Sequence, residues 1–387
     1  MTQRLHVGGE GTFVTRLWRP DVAGPALCVL AGGVLVDITS REAPTMRDLL
    51  EMDDPAGFAC DRASSGLALG DAEAIAAGSV EATGQPDKLH FLAPNDLQAV
   101  KACGVTFARS MVERVIEEKA AGDPSKALAI RERCQVIIGD SLRDLKAGSP
   151  AAARVKETLI AEGLWSQYLE VGIGPDAEVF TKCQPLASVG WGASVGLHPI
   201  SRWNNPEPEV VLAVDSRGAV KGAALGNDVN LRDVEGRSAL LLGKAKDNNA
   251  SCAIGPFIRL FDAGFGIEDV RSAELDLTVE GEDGFVLNGK SSMKEISRDP
   301  LDLVAQTRGR HHQYPDGFLL FMGTLFAPTE DRDHPGEGFT HKAGDVVTIS
   351  SAGLGALTNT VRLATQCPEW TFGTAALMRN LAARDLI

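Results

Sequence analysis

Apolar and polar positions alternate from Thr12 to Trp18, and a mostly apolar stretch from Ala26 to Ile38 is broken by Gly32-Gly33. This spacing predicts two strands and a turn. Pro44 through Glu51 reads as a helix start. From Asp96 to Glu118 the apolar residues recur at helical spacing behind Asn95-Asp96, a suitable N-cap, and charged helical patterns continue from Lys126 to Glu162. After Glu170 glycine, proline and β-branched residues take over, which predicts strands at Glu209 to Val214, Glu274 to Val279, Phe318 to Phe321 and Asp345 to Ile349. The expected class is α+β, with a small β-rich N-terminal domain over residues 1–95 and a larger unit over 96–387 that opens with a helical segment at about 96–165.

Composition narrows the function classes. The 387 residues carry 38 Lys+Arg against 52 Asp+Glu, a formal net charge of −14, so nucleic acid and anionic membrane surfaces are expected to be repelled. No apolar run reaches the roughly 18 residues a membrane helix needs. The N-terminus shows no hydrophobic signal core, and none of the seven cysteines forms a C-x-x-C pair, so a reduced cytoplasmic protein with buried thiols is expected.

The most informative segment is Asn204-Asn205-Pro206-Glu207-Pro208-Glu209. Glu207 and Glu209 lie two residues apart on a chain that Pro206 and Pro208 hold extended, so both carboxylates point to one side. Like charges this close are costly unless a cation joins them, and a hard divalent ion such as Mg²⁺ suits oxygen-only ligands. A third ligand is then expected nearby. The strand after Glu209 and its return after the Asp215-Ser216-Arg217-Gly218 turn would bring Asp228 beside it. Lys182 and Lys246 occupy neighbouring segments, where an ammonium group can stabilise developing negative charge or, with a lowered pKa, exchange a proton; the alternative is an exposed lysine. His311-His312 reads as an exposed loop, and His198 either lines the cavity or bonds backbone. Gly353-Leu354-Gly355 lacks the remainder of a dinucleotide fingerprint.

The order Val179-Phe180-Thr181-Lys182, Pro206-Glu207-Pro208-Glu209, Gly226-Asn227-Asp228-Val229 with Arg232-Asp233, and Lys246 before Gly255-Pro256 resembles the fumarylacetoacetate hydrolase superfamily over roughly residues 100 to 387. The resemblance implies a C-terminal mixed β-sandwich roll over residues 96–387, with 96–165 as a helical lid. It also implies Mg²⁺ or Mn²⁺ held by Glu207, Glu209 and Asp228, in a homodimer or homotetramer. Hydrolytic members place a His and a Glu three residues apart on the lid to activate water. Here Ser110 and Glu113 hold those positions, and no histidine lies between His90 and His198. Without the imidazole the usual base for water is missing.

Together with the strings Ser251-Cys252-Ala253-Ile254-Gly255-Pro256 and Gly323-Thr324-Leu325-Phe326-Ala327-Pro328, this departure is similar to the branch of dehydratases acting on 2-keto-3-deoxy sugar acids. That likeness implies a small-molecule 2-keto acid substrate, a 2-keto-3-deoxy-pentonate derived from D-xylonate, converted to 2,5-dioxopentanoate. To Glu113 we assign the C3 proton transfer and protonation of the leaving hydroxyl, and to Lys182 or Lys246 stabilisation of the enolate and the substrate carboxylate; Arg109, Ser110 and Arg114 are candidate substrate contacts, with exposed helix arginines the alternative for Arg109 and Arg114. An acylpyruvate-type hydrolase or a decarboxylase would use the same metal, and a catalytically silent binding protein is the third reading.

Overall fold

The alternating segments near the N-terminus form strands β1 (Phe13–Arg19), β2 (Gly24–Ala31) and β3 (Val34–Asp37), the last two joined at Gly32 and Gly33. The computed structural model describes residues 4–121, 123, 125–127, 145–161, 165–326, 328, 330–334 and 338–387. Helices α1 (Met46–Glu51) and α2 (Pro55–Ala63) start at Thr45 and Asp54, whose side chains accept from backbone amides of the first turn. Then come β4 (Leu67–Asp71), α3 (Ala72–Ala82), β5 (His90–Leu92) and β6 (Ala99–Gly104). The helices α4 (Ala108–Ala120), α5 (Pro150–Ala161) and α6 (Gln167–Ile173) precede β7 (Glu178–Cys183), β8 (Ser194–Leu197) and β9 (Asn204–Asn205).

The hairpin of β10 (Pro208–Val214) and β11 (Val220–Asp228) leads through β12 (Asn230–Leu231) to the short helices α7 (Arg232–Glu235) and α8 (Leu242–Lys246). The remainder comprises β13 (Cys252–Leu260), α9 (Ile267–Arg271), β14 (Glu274–Glu280), β15 (Val286–Ser292), α10 (Pro300–Thr307), β16 (Phe318–Phe321), β17 (Val346–Ser351), β18 (Gly355–Leu363) and α11 (Thr374–Ala383).

The main sheet runs β4-β3-β2-β1-β13-β11-β10-β16-β6-β7, with β5 added beside β1. A second sheet has the order β15-β14-β17-β18-β8. Phe13 and Val14 pair with Arg259 and Ile258, so the N-terminal strands and those after residue 96 share one sheet. Strand β10 is buried along its whole length because both faces are covered. Val210, Leu212 and Val214 join a core that includes Leu277, Ile349 and Leu357 of the second sheet; Val211 and Ala213 join another that includes Met46, Leu49 and Ala59 of α1 and α2. A third core gathers α4, α5 and α6 around Met111, Ile116, Leu159 and Leu169. Each such side chain contributes about 1.5–3 kcal/mol by leaving water.

The helix expected from Asp96 begins only at Ala108. Residues 99–104 are strand because β6 is flanked by β16 and β7, and Val100 and Ala102 are buried without exposure between them. Tertiary pairing here overrides a spacing that a helix would also satisfy. In the charged stretch from Lys126 to Glu162, residues 128–144 and 162 lie outside the described residues. Among the described residues no helix is long and apolar enough to cross a membrane, and the described cysteines are free thiols.

Candidate active site

Register brings the acidic trio together. Pro208 pairs with Asn227 and Glu209 with Gly226, while the Asp228 amide donates to the Glu207 carbonyl at 3.1 Å. Oxygens of Glu207, Glu209 and Asp228 lie within 4.8 Å of one another, and all three residues are buried. The flanking prolines remove two ladder donors from this end of β10. Asn227 Oδ1 instead accepts from the Glu207 amide at 3.2 Å. Glu209 is fixed from the far side by the Gly323 amide, 2.7 Å from its Oε2. Gly323 has φ +87°, which suits glycine and not a side-chain-bearing residue.

The two lysines take different places. Lys182 is fully buried; its Nζ lies 2.8 Å from Asp228 Oδ1 and donates to the Lys246 carbonyl at 2.6 Å. It holds Asp228 in place from behind. Lys246 faces the pocket, 2.7 Å from Glu207 Oε2, 3.2 Å from Asp228 Oδ2 and 3.9 Å from Glu235 Oε2. Arg114, on α4, bridges Glu207 and Glu235, the latter at 3.4 Å. Glu113 lies 3.5 Å from the Arg232 guanidinium, which stacks on the Trp203 ring at 4.2 Å. Arg109 and Ser110 fall in the first turn of α4, with their side chains outside the described residues. His198 accepts from the Ile200 amide in a local turn and does not line the pocket.

These groups surround a cleft of about 540 Å³, counting its open mouth, to which Phe180, Asn205, Asn230, Thr324 and Phe326 also contribute. Burial, with Asp228 and Glu207 beside it, pushes the Glu209 carboxyl well above its ordinary range. For Asp228 burial acts the same way, but Lys182 and Lys246 outweigh it and hold the group below its usual value. Burial opposes the charge on Lys246, yet Asp228, Glu207 and Glu235 raise it above the ordinary lysine value. Around the cleft, Glu113, Glu178, Glu207, Glu209, Asp228 and Glu235 face, among the described residues, Arg114, Arg232, Lys246 and, behind Asp228, Lys182. That formal excess of two carboxylates over basic groups, with three hard oxygen donors converging, fits a divalent cation.

Two carboxylates of the cleft, Glu178 and Glu235, were not expected from the sequence. Glu178 precedes Phe180 and Lys182 at strand spacing, so the two-residue period running back from Lys182 marks it. Glu235 follows Arg232 by three residues in a single helical turn, where both can face one direction.

Residues 204–362 match the fumarylacetoacetate (FAA) hydrolase C-terminal family. The chain is similar to a probable 2-keto-3-deoxyxylonate dehydratase of Haloferax volcanii, 30% identical over 194 residues that make up 50% of this chain and 63% of that protein. It is also similar to a 2-dehydro-3-deoxy-D-arabinonate dehydratase of Saccharolobus solfataricus, 29% identical over 185 residues, 48% of this chain and 58% of that one. The chain thus spans about three fifths of the length of these curated relatives. A solved 2-keto-3-deoxy-D-arabinonate dehydratase, complexed with magnesium and 2,5-dioxopentanoate, superposes with a TM-score of 0.60 at 19% identity, over 91% of this chain and 99% of that chain. A fumarylacetoacetate hydrolase from Exiguobacterium antarcticum gives 0.56 at 16% identity, over 91% and 99%. The segment that matches the family begins in β9, just ahead of the acidic trio's strand pair, and ends in β18, and 91% of the chain shares the fold of these two solved structures.

Proposed function

We propose that this protein is a metal-dependent hydro-lyase that converts a 2-keto-3-deoxy-pentonate, with the D-xylonate-derived compound preferred, to 2,5-dioxopentanoate. The observation that carries this reading is the buried trio of Glu207, Glu209 and Asp228 backed by two lysines, in a cleft lined by Glu113 and by no histidine among its described residues. The names of the curated relatives point the same way. Mg²⁺, with Mn²⁺ as a substitute, would be held by the trio and would polarise the α-oxo acid as a Lewis acid. Lys246 and Arg114 present positive charge to the substrate carboxylate and to the developing enolate. Lys182 keeps Asp228 ionised and oriented. Glu113 removes a C3 proton, held in position by Arg232; Arg109 and Ser110 remain proposed substrate contacts. The protein acts in the cytoplasm as a homodimer or homotetramer, with residues 1–95 as its small N-terminal domain and 96–165 as a lid.

The test is an assay of purified protein with and without EDTA, against both C4 epimers of the pentonate. Release of 2,5-dioxopentanoate without pyruvate supports dehydration. Pyruvate from acylpyruvates would make it a hydrolase, and silence with both, together with no metal uptake, a binding protein.

A further inference from the structure

Five of the six carboxylates around the cleft are engaged. Glu113 meets Arg232; Glu207 meets Arg114 and Lys246; Glu209 takes the Gly323 amide; Asp228 meets both lysines; Glu235 meets Arg114 and Lys246. Glu178 makes no hydrogen bond or ion pair with any described residue, although it lines the same cleft. The fold makes room for it. In the β6–β7 ladder Glu178 pairs with Gly104, and a Cβ at Gly104 would stand 1.9 Å from Glu178 Oε2. The carboxyl therefore lies in a seat that a side chain at residue 104 would force it to leave, with Arg114 and Lys246 near enough to act on its charge without pairing with it. A half-buried carboxylate without a hydrogen-bond partner costs stability and does nothing for the fold. Strand geometry sets its position: Lys182, four residues on, sits behind the trio, so Glu178 is roughly 13 Å along the strand toward the other end of the cleft.

We propose that Glu178 is the general acid of the reaction, giving its carboxyl proton to the departing C4 hydroxyl while Glu113 works at C3. This rests on the dehydratase reading above. The electron pair of the C3–H bond taken by Glu113 first passes to the C2 oxygen as an enolate; its return forms the C3–C4 double bond as the C4–O bond breaks, and the Glu178 proton leaves in water. Glu178, now ionised, takes a C5 proton, and Glu113 returns its proton to C3. The resulting C4–C5 enol tautomerises to the aldehyde, so both carboxyls end as they began and no redox partner is consumed. Burial and the nearby Glu235 raise the Glu178 pKa to about 7, against the opposing pull of Arg114 and Lys246 and with Glu207 adding to the rise, so a neutral solution holds a donor population.

The experiment follows two events in D₂O with Mg²⁺-loaded protein and the 2-keto-3-deoxy-pentonate: deuterium entry at C3 by NMR, and 2,5-dioxopentanoate formation. Glu178→Gln should keep C3 exchange within about threefold of wild type and lower dehydration by about 100-fold or more. Gly104→Ala, which displaces the carboxyl without removing it, should show the same split to a smaller degree. Dehydration by folded Glu178→Gln within threefold of wild type overturns the assignment, as does equal loss of exchange and dehydration. A wild-type protein that neither exchanges nor dehydrates overturns the dehydratase reading itself, and the acid role with it.

Discussion

Replacing Glu178 by Gln should change how the stability of the protein depends on pH, whatever the substrate. The carboxyl titrates at about 7 in the folded protein against an ordinary 4.5, because burial and Glu235 disfavour its charge. Below the ordinary value the group is protonated in folded and unfolded chains alike, and it costs nothing. As pH rises toward 7 the unfolded chain ionises first, and the folded state loses stability until it ionises too. The difference of 2.5 pKa units corresponds to about 3 kcal/mol, fully developed above pH 7. Gln has the same shape and cannot ionise. Urea unfolding of both proteins in EDTA, at pH 4.5 and at pH 8, should show the advantage of the variant growing by about 3 kcal/mol across that interval. A constant offset at the two pH values would mean that Glu178 ionises in the fold as it does in water, and the seat beside Gly104 would have no electrostatic consequence.

Glu209→Gln should abolish metal uptake and activity together, seen by isothermal titration with Mg²⁺ and by product release; retained uptake would remove Glu209 from the ligand set. Glu113→Gln should leave Mg²⁺ affinity within about threefold and lower turnover by roughly 100-fold or more, as expected for loss of an acid–base group. Lys182→Met leaves Asp228 with half its counter-charge in a site closed to water, so the protein should lose about 3–5 kcal/mol in denaturant unfolding. A loss under 1 kcal/mol would mean that water or Lys246 replaces the ammonium group.

The acidic trio was legible because its determinants are local. Two prolines fix the chain around Glu207 and Glu209, and a seven-residue strand with a tight turn returns Asp228 to the same level, so spacing alone carries the geometry. The strands at Glu274 and Phe318 were legible for the same reason, since alternation and turn residues need no distant information. The helix start was misread at Asp96 because Val100 and Ala102 satisfy either period, and only the arrival of β16 more than two hundred residues later selects the strand. Glu235 escaped notice because its role depends on Arg114 reaching it from a separate helix. Glu178 escaped because its place in the cleft depends on β6 pairing with β7, which brings Gly104 opposite it.

The ladder between β1 and β13 has a consequence for how the gene can be cut. Phe13 and Val14 cover one rim of β13, the strand whose other rim holds β11 and therefore Asp228. A version starting near residue 96 would bare that rim, offering unpaired amides and carbonyls beside Ile258 to any other extended chain. Such a fragment is expected to clump before it can bind an ion, so the front quarter of the protein acts as a guard against self-association.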